Sequence, residues 1–116
     1  MIRTKADMIK EIREKMRGGS GSVEIVHIFK KDELMGKARL FARIILKKDC
    51  SIGFHTHDNE EEIYYIISGK GIVDDDGSSY EVTAGDAILT GNGAGHSIGN
   101  EQDEPLEVLA VILLYV

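Results

Sequence analysis

His55 and His57 are separated by a single residue. On an extended strand such residues point to the same face, so the two imidazoles can reach one ion together. The next four residues, Asp58-Asn59-Glu60-Glu61, suit a turn, and Glu62 then opens the run Ile63-Tyr64-Tyr65-Ile66-Ile67. A hairpin of this kind can bring Glu62 beside the histidines. A fourth donor could come from His96, which follows Gly91-Asn92-Gly93-Ala94-Gly95, a segment whose glycines permit the tight path that aims it inward. Three neutral imidazoles with one carboxylate suit Mn, Fe, Co, Ni, Cu or Zn, whereas Ca and Mg prefer all-oxygen shells. On a six-coordinate ion, four protein ligands leave two positions for water, a bidentate organic acid or dioxygen. The expected cofactor is one divalent transition metal ion, and the expected chemistry is binding or turnover of a small polar or acidic molecule.

Other residue types offer less. Alternation puts Tyr64 on the Glu62 face, where its hydroxyl could orient a substrate in a catalytic role or its ring could simply pack. His27 stands alone in a strand pattern and reads as a packed or surface residue. Cys50 has no base implied nearby and reads as structural. Arg39 and Arg43 share a strand face, and a surface or interface position is expected for both.

The elements that must position these residues are mostly strands. β-rich segments near 23–29, 38–47, 52–57, 62–68, 70–74, 79–83, 87–90, 96–99 and 106–115 alternate with turn residues, the pattern of a sandwich or barrel. Asp76-Gly77 is the sharpest hairpin signal. The expected exception is the N-terminus. Met8, Ile9, Ile12 and Met16 fall at spacings of three and four, with Thr4 as N-cap and Gly18-Gly19 as stop, and predict a short amphipathic helix over about Lys5 to Arg17. Gly18-Gly19-Ser20-Gly21-Ser22 then predicts a flexible joint, so that residues 1–22 form a helix and joint, and 23–116 the barrel.

With these residues in place the chain resembles the cupin family. That family's first motif reads Gly, five residues, His-x-His, three or four residues, Glu, six residues, Gly. His55, His57, Glu62 and Gly69 fit it, while Asp49 stands where the opening glycine belongs. The second motif reads Gly, five residues, Pro-x-Gly, two residues, His, three residues, Asn. Gly85, Gly93, His96 and Asn100 fit it, with Gly91 in place of the proline, a change expected to loosen the loop before His96. The resemblance implies an all-β double-stranded β-helix, or jelly-roll barrel, with the metal near its axis. The family also allows a shorter spacer, which would make Glu61 the ligand. The distance to Gly69 and the alternation with Tyr64 and Ile66 favour Glu62.

The resemblance extends to small single-domain cupins labelled oxalate decarboxylase-like, but this fold hosts decarboxylases, dioxygenases, isomerases and plain binding proteins. Two-domain oxalate decarboxylases carry an arginine three residues before the first ligand histidine, where this chain has Ile52. Two readings follow: a metal-dependent enzyme on a small organic molecule, or a non-catalytic metal- and ligand-binding module. A metal that keeps exchangeable water would favour the first.

Composition narrows the partners. The 116 residues suit one core, with 42% hydrophobic and 29% charged residues. A formal net charge of −6 repels phosphate backbones and anionic lipid surfaces, so neither nucleic acid nor membrane is expected as a partner. The longest apolar run, Val108 to Val116, falls short of the ~20 residues a membrane helix needs. A lone cysteine and a charged N-terminus suit a reducing cytoplasm. Finally, Leu106 to Val116 is apolar at every position except Glu107, so as a strand it presents hydrophobic side chains on both faces. One face can fill the barrel. The other predicts a homodimer, unless the N-terminal helix covers it.

Overall fold

A computed structural model describes residues 1–116. Ten strands form: β1 (Ile9–Glu14), β2 (Ser22–His27), β3 (Ala38–Leu46), β4 (Cys50–Thr56), β5 (Glu60–Ser68), β6 (Lys70–Asp75), β7 (Ser78–Thr83), β8 (Ala87–Gly91), β9 (Gly95–Asn100) and β10 (Leu106–Leu114). The nine segments expected from the sequence are β2 to β10, each within a few residues. They lie in two sheets, ordered β1-β2-β3-β10-β5-β8 and β4-β9-β6-β7, and every pairing is antiparallel. No helix is long and apolar enough to cross a membrane.

Alternation on these strands fills one interior from both sheets. Val23 and Ile25 of β2, Ala42, Ile44 and Leu46 of β3, Ile66 of β5, and Leu106, Val108 and Ala110 of β10 meet Ile52, Val73, Val82 and Ile98 of the smaller sheet. β10 runs between β3 and β5 and is apolar on both faces as its composition requires. The family's turn residues earn their positions mechanically. Gly69, Gly85 and Gly93 have φ of 88°, 93° and 84°, where a Cβ is disfavoured. Buried Asn100 donates to the carbonyls of Leu46 (2.9 Å) and Glu104 (2.8 Å), tying two strand ends together.

The N-terminal helix is the correction. Residues expected as one helix form a strand, β1, flanked by single turns at Lys5–Asp7 and Met16–Gly18. β1 pairs with β2 over six positions, from Ile9 opposite His27 to Glu14 opposite Ser22. An isolated helix of about 13 residues is marginal in water. The open edge of β2 offers ladder hydrogen bonds instead, and tertiary context overrides the helical spacing. The glycine-rich stretch expected as a joint is hydrogen-bonded to β4. The Ser20 carbonyl accepts from the Ser51 amide at 2.9 Å, and the Ser20 amide donates to the Ser51 hydroxyl at 2.9 Å. Gly19 and Gly53 bring the two backbones together so closely that a Cβ on either would overlap the opposite main chain.

Candidate metal centre

His55 is the penultimate residue of β4, and the register places it directly opposite His96 on β9. His57 lies just past the end of β4 and is held by reciprocal backbone bonds to the loop before His96. Its amide donates to the Ala94 carbonyl at 3.0 Å, and its carbonyl accepts from the Gly93 amide at 2.9 Å. That loop, expected to be loosened by the missing proline, is therefore tied to a ligand residue. Gly91 itself has no room for a side chain, because a Cβ would lie 2.6 Å from both the Glu61 Cβ and the Tyr115 hydroxyl. Glu62 on β5 faces inward with Tyr64 and Ile66, and all three are buried. Glu61 stays outside the cluster, as alternation demands.

One ligand atom from each of His55, His57, Glu62 and His96 lies within 4.8 Å of the others, a group that could hold a metal ion. The Nε2 atoms of His57 and His96 are 3.1 Å apart, and those of His96 and His55 3.2 Å. Glu62 Oε1 is 3.0 Å from Nε2 of both His57 and His96, and 4.0 Å from that of His55. Donors at bonds of about 2.1 Å to one ion sit roughly 3 Å apart when adjacent, so the residues fit such an ion. Hydrogen bonds prepare two of the rings. His55 Nδ1 lies 2.8 Å from the Gly53 carbonyl and His57 Nδ1 2.6 Å from Glu60 Oε2. Donation through Nδ1 leaves each Nε2 lone pair aimed at the common point. His96 Nδ1 is buried without a hydrogen-bond partner; that ring is held instead by stacking on Tyr64, centroids 4.8 Å apart and planes within 4°.

Electrostatics favour a charged carboxylate there. Burial pushes Glu62 upward, but the hydrogen bonds and charges of His57 and His96 outweigh it and hold the carboxyl at about 2. The Glu62 hydrogen bond raises His57, while burial lowers His55. Burial, with the neighbouring Glu62 charge, keeps the Tyr64 hydroxyl protonated far above its ordinary range.

Several residues here escaped the sequence reading. Glu60, read as a turn residue, accepts a hydrogen bond from His57 Nδ1–H and is gripped by Arg39 at 2.7 and 2.8 Å. Arg39 reaches it because the β3–β10 register slips. Leu40 pairs with Ile112 and Ala38 with Leu113, so Arg39 is the extra residue of a bulge and leaves the face it would share with Arg43. Arg43 remains outside, paired with Glu107. Thr90 on β8 stands opposite Glu62 with its buried hydroxyl unpartnered. Beside the ligands lies a cavity of about 80 Å³, lined by His55, His57, Glu62, Tyr64 and apolar side chains, and also by Arg13, Arg17 and Arg39. His27 is not among these; it bonds Glu11 at 2.9 Å.

This fold and donor set define the class: the chain belongs to the cupin domain family, whose model matches residues 42–112. Among relatives, it is 43% identical to the oxalate-binding protein of Thermotoga maritima over 98% of this chain and 94% of that protein. It is 33% identical to an uncharacterised protein of Methanocaldococcus jannaschii, over 94% and 83% of the two chains. The crystal structure of a predicted oxalate decarboxylase from Thermotoga maritima superposes with a TM-score of 0.93 at 43% identity, covering 98% of this chain and 99% of that one. A Schizosaccharomyces pombe cupin domain matches with a TM-score of 0.72 at 10% identity, over 90% and 68% of the chains, a likeness of fold alone.

Proposed function

We propose that the protein binds a small organic acid at a divalent transition metal held by His55, His57, Glu62 and His96. The observation that carries this reading is the convergence of the four donor atoms on one point at the edge of a cavity of about 80 Å³. Such a volume admits only a few non-hydrogen atoms, far below the ~300–1,000 Å³ of sites for drug-sized ligands. Of the three arginines in its lining, Arg17 is in no ion pair, and its charge favours an anion over a neutral molecule. Ile52, which stands where two-domain oxalate decarboxylases carry an arginine, packs in the core, so any carboxylate clamp must come from elsewhere in the chain. The 43% identity to an oxalate-binding protein makes oxalate the first acid to test.

When bound, a divalent ion would supply Lewis-acid polarisation of the acid's oxygens. Tyr64, kept protonated by burial beside Glu62, lines the cavity, and in this reading its hydroxyl turns to donate to the bound acid. The free thiol of Cys50 accords with a reducing, cytoplasmic setting. The test is calorimetric titration of oxalate into metal-loaded and metal-free protein. Binding by the loaded form alone supports the reading; equal binding by both, or none by either, contradicts it.

We also propose a homodimer formed through the outer face of the six-stranded sheet. With β1 lying in the sheet, the N-terminal segment covers only one margin of this face, where Ala6 and Met8 share a hollow with Val26 and Ile45 and Phe29 stacks on Phe41. It carries Phe41 and Ile45 of β3, Ile63 and Tyr65 of β5, and Leu109 and Val111 of β10 around the Arg43–Glu107 pair. Pairing of one apolar face with its copy by a two-fold axis is the simplest closed way to cover it.

A further inference from the structure

The three arginines that line the cavity are not equivalent. Arg39 spends its guanidinium on Glu60 through two hydrogen bonds, and Arg13 donates to Glu11 at 2.7 Å. Arg17 has no ion pair and no side-chain hydrogen bond. It stands on the turn Met16–Gly18, between β1 and β2, far in sequence from both family motifs.

The chain goes to some length to put Arg17 there. Met16, beside it, packs against the core and also lines the cavity. Lys15 and Arg17 both hold left-handed backbone, φ 48° and 55°, a conformation uncommon outside glycine and one that proteins tend to keep where a function fixes it. The Arg17 carbonyl sits where a Cβ on Gly53 would be, so the turn and the strand bearing His55 are in backbone contact.

We propose that Arg17 is the specificity-determining cation of the cavity, receiving one carboxylate of a small dicarboxylate dianion whose other end meets the His/Glu cluster. This rests on the reading that the cavity takes a small acid at that cluster, and it adds the residue that selects a dianion there. A guanidinium presents a planar fork matched to a carboxylate, and a free one has that fork to offer. The small cavity excludes long-chain diacids, and the unpartnered charge separates a dianion from a monoanion of the same shape.

Oxalate and oxamate, which replaces one carboxylate by a neutral amide, provide the comparison. Each is titrated by calorimetry into manganese-loaded protein, with Arg17→Gln as the variant and Lys70→Gln on β6 as a control that removes the same charge elsewhere. Arg17→Gln is expected to weaken oxalate by about 10- to 100-fold, to change oxamate by less than about 3-fold, and to leave manganese content intact. Arg17→Lys, keeping charge but losing the fork, falls between. Oxalate bound equally by Arg17→Gln, or an equal loss in Lys70→Gln, overturns this inference and leaves the proposed function standing. Equal affinity of the unsubstituted protein for both acids does the same. Failure of the loaded, unsubstituted protein to bind either acid overturns both.

Discussion

The two faces of the β3-β10-β5 ribbon handle polar groups in opposite ways. On the inner face the ribbon is apolar at one end, with Leu46, Leu106, Val108 and Ile66, and turns polar toward the other, where Glu62 and Tyr64 lie among imidazoles. Every buried charge there has a built partner: Glu62 has two histidines, and His57 has Glu60, itself held by Arg39. The outer face reverses the proportions, with one ion pair, Arg43 with Glu107, set among aromatic and branched side chains that the chain covers only in part: Phe29 stacks on Phe41, and Ala6 and Met8 share a hollow with Ile45. A polar cluster assembled at the cost of desolvation needs a purpose the fold alone does not supply, and so does an apolar surface left half-exposed. On the proposed reading the inner face serves an ion and its ligand, and the outer face a second copy of the chain.

The largest effect expected from breaking the inner face is at Glu62. Glu62→Gln keeps the shape but removes the one carboxylate in the cluster, and metal content should fall severely; Glu61→Gln, one residue away and outside the cluster, should be mild. The reverse order would make Glu61 the ligand. The same carboxylate gives the metal-free protein an acid limb. Glu62, lowered from its ordinary value to about 2, contributes stability that is fully present above pH 4.5 and is lost as pH falls toward 2. That contribution is on the order of 3 kcal/mol. His57, whose value is raised, contributes in the opposite sense: its stabilisation is present below its ordinary value of 6.5 and fades as pH rises through the raised one. Denaturant unfolding of metal-free protein at stepped pH should show both limbs, and Glu62→Gln should flatten them.

A smaller effect is expected at Glu60, which touches no shared point but fixes the ring of His57. Glu60→Gln should weaken metal binding by about 10-fold without removing it, read by chelator competition. An unchanged affinity would show that the Nδ1 contact does not orient the ligand. On the outer face, Val111→Lys should convert a dimeric mass to a monomeric one by light scattering while leaving metal content alone. A monomer before substitution would mean that this face is tolerated bare.

How much of this was legible in the sequence depended on whether the information was local. The strands β2 to β10 and the inward turn of Tyr64 follow from alternation and turn chemistry within short segments, whereas the donor set with His96 and the choice of Glu62 over Glu61 also drew on the resemblance to the two cupin motifs. The N-terminal strand was hidden because Met8, Ile9, Ile12 and Met16 satisfy a helical period, and only the edge of β2 decides otherwise. Arg39 was hidden by a bulge: a one-residue slip in the β3–β10 register sends it away from Arg43, and no residue type at that point announces the slip. Arg17 was hidden twice over, by the helix reading and by its distance from both motifs. Glu60 was read as a turn residue because the role it plays is visible only once Arg39 and His57 close on it.

The central claim is that His55, His57, Glu62 and His96 act as one donor set, and metal analysis tests it most directly. Protein purified without chelator or added metal, together with His57→Ala and His96→Ala variants, is assayed by mass spectrometry for bound metal and by circular dichroism for fold. The account predicts one divalent transition metal ion per chain in the unsubstituted protein and sharp loss in both variants, with the β-rich spectrum retained. Full occupancy in both variants, or a protein that takes up no transition metal even when it is supplied, would contradict it.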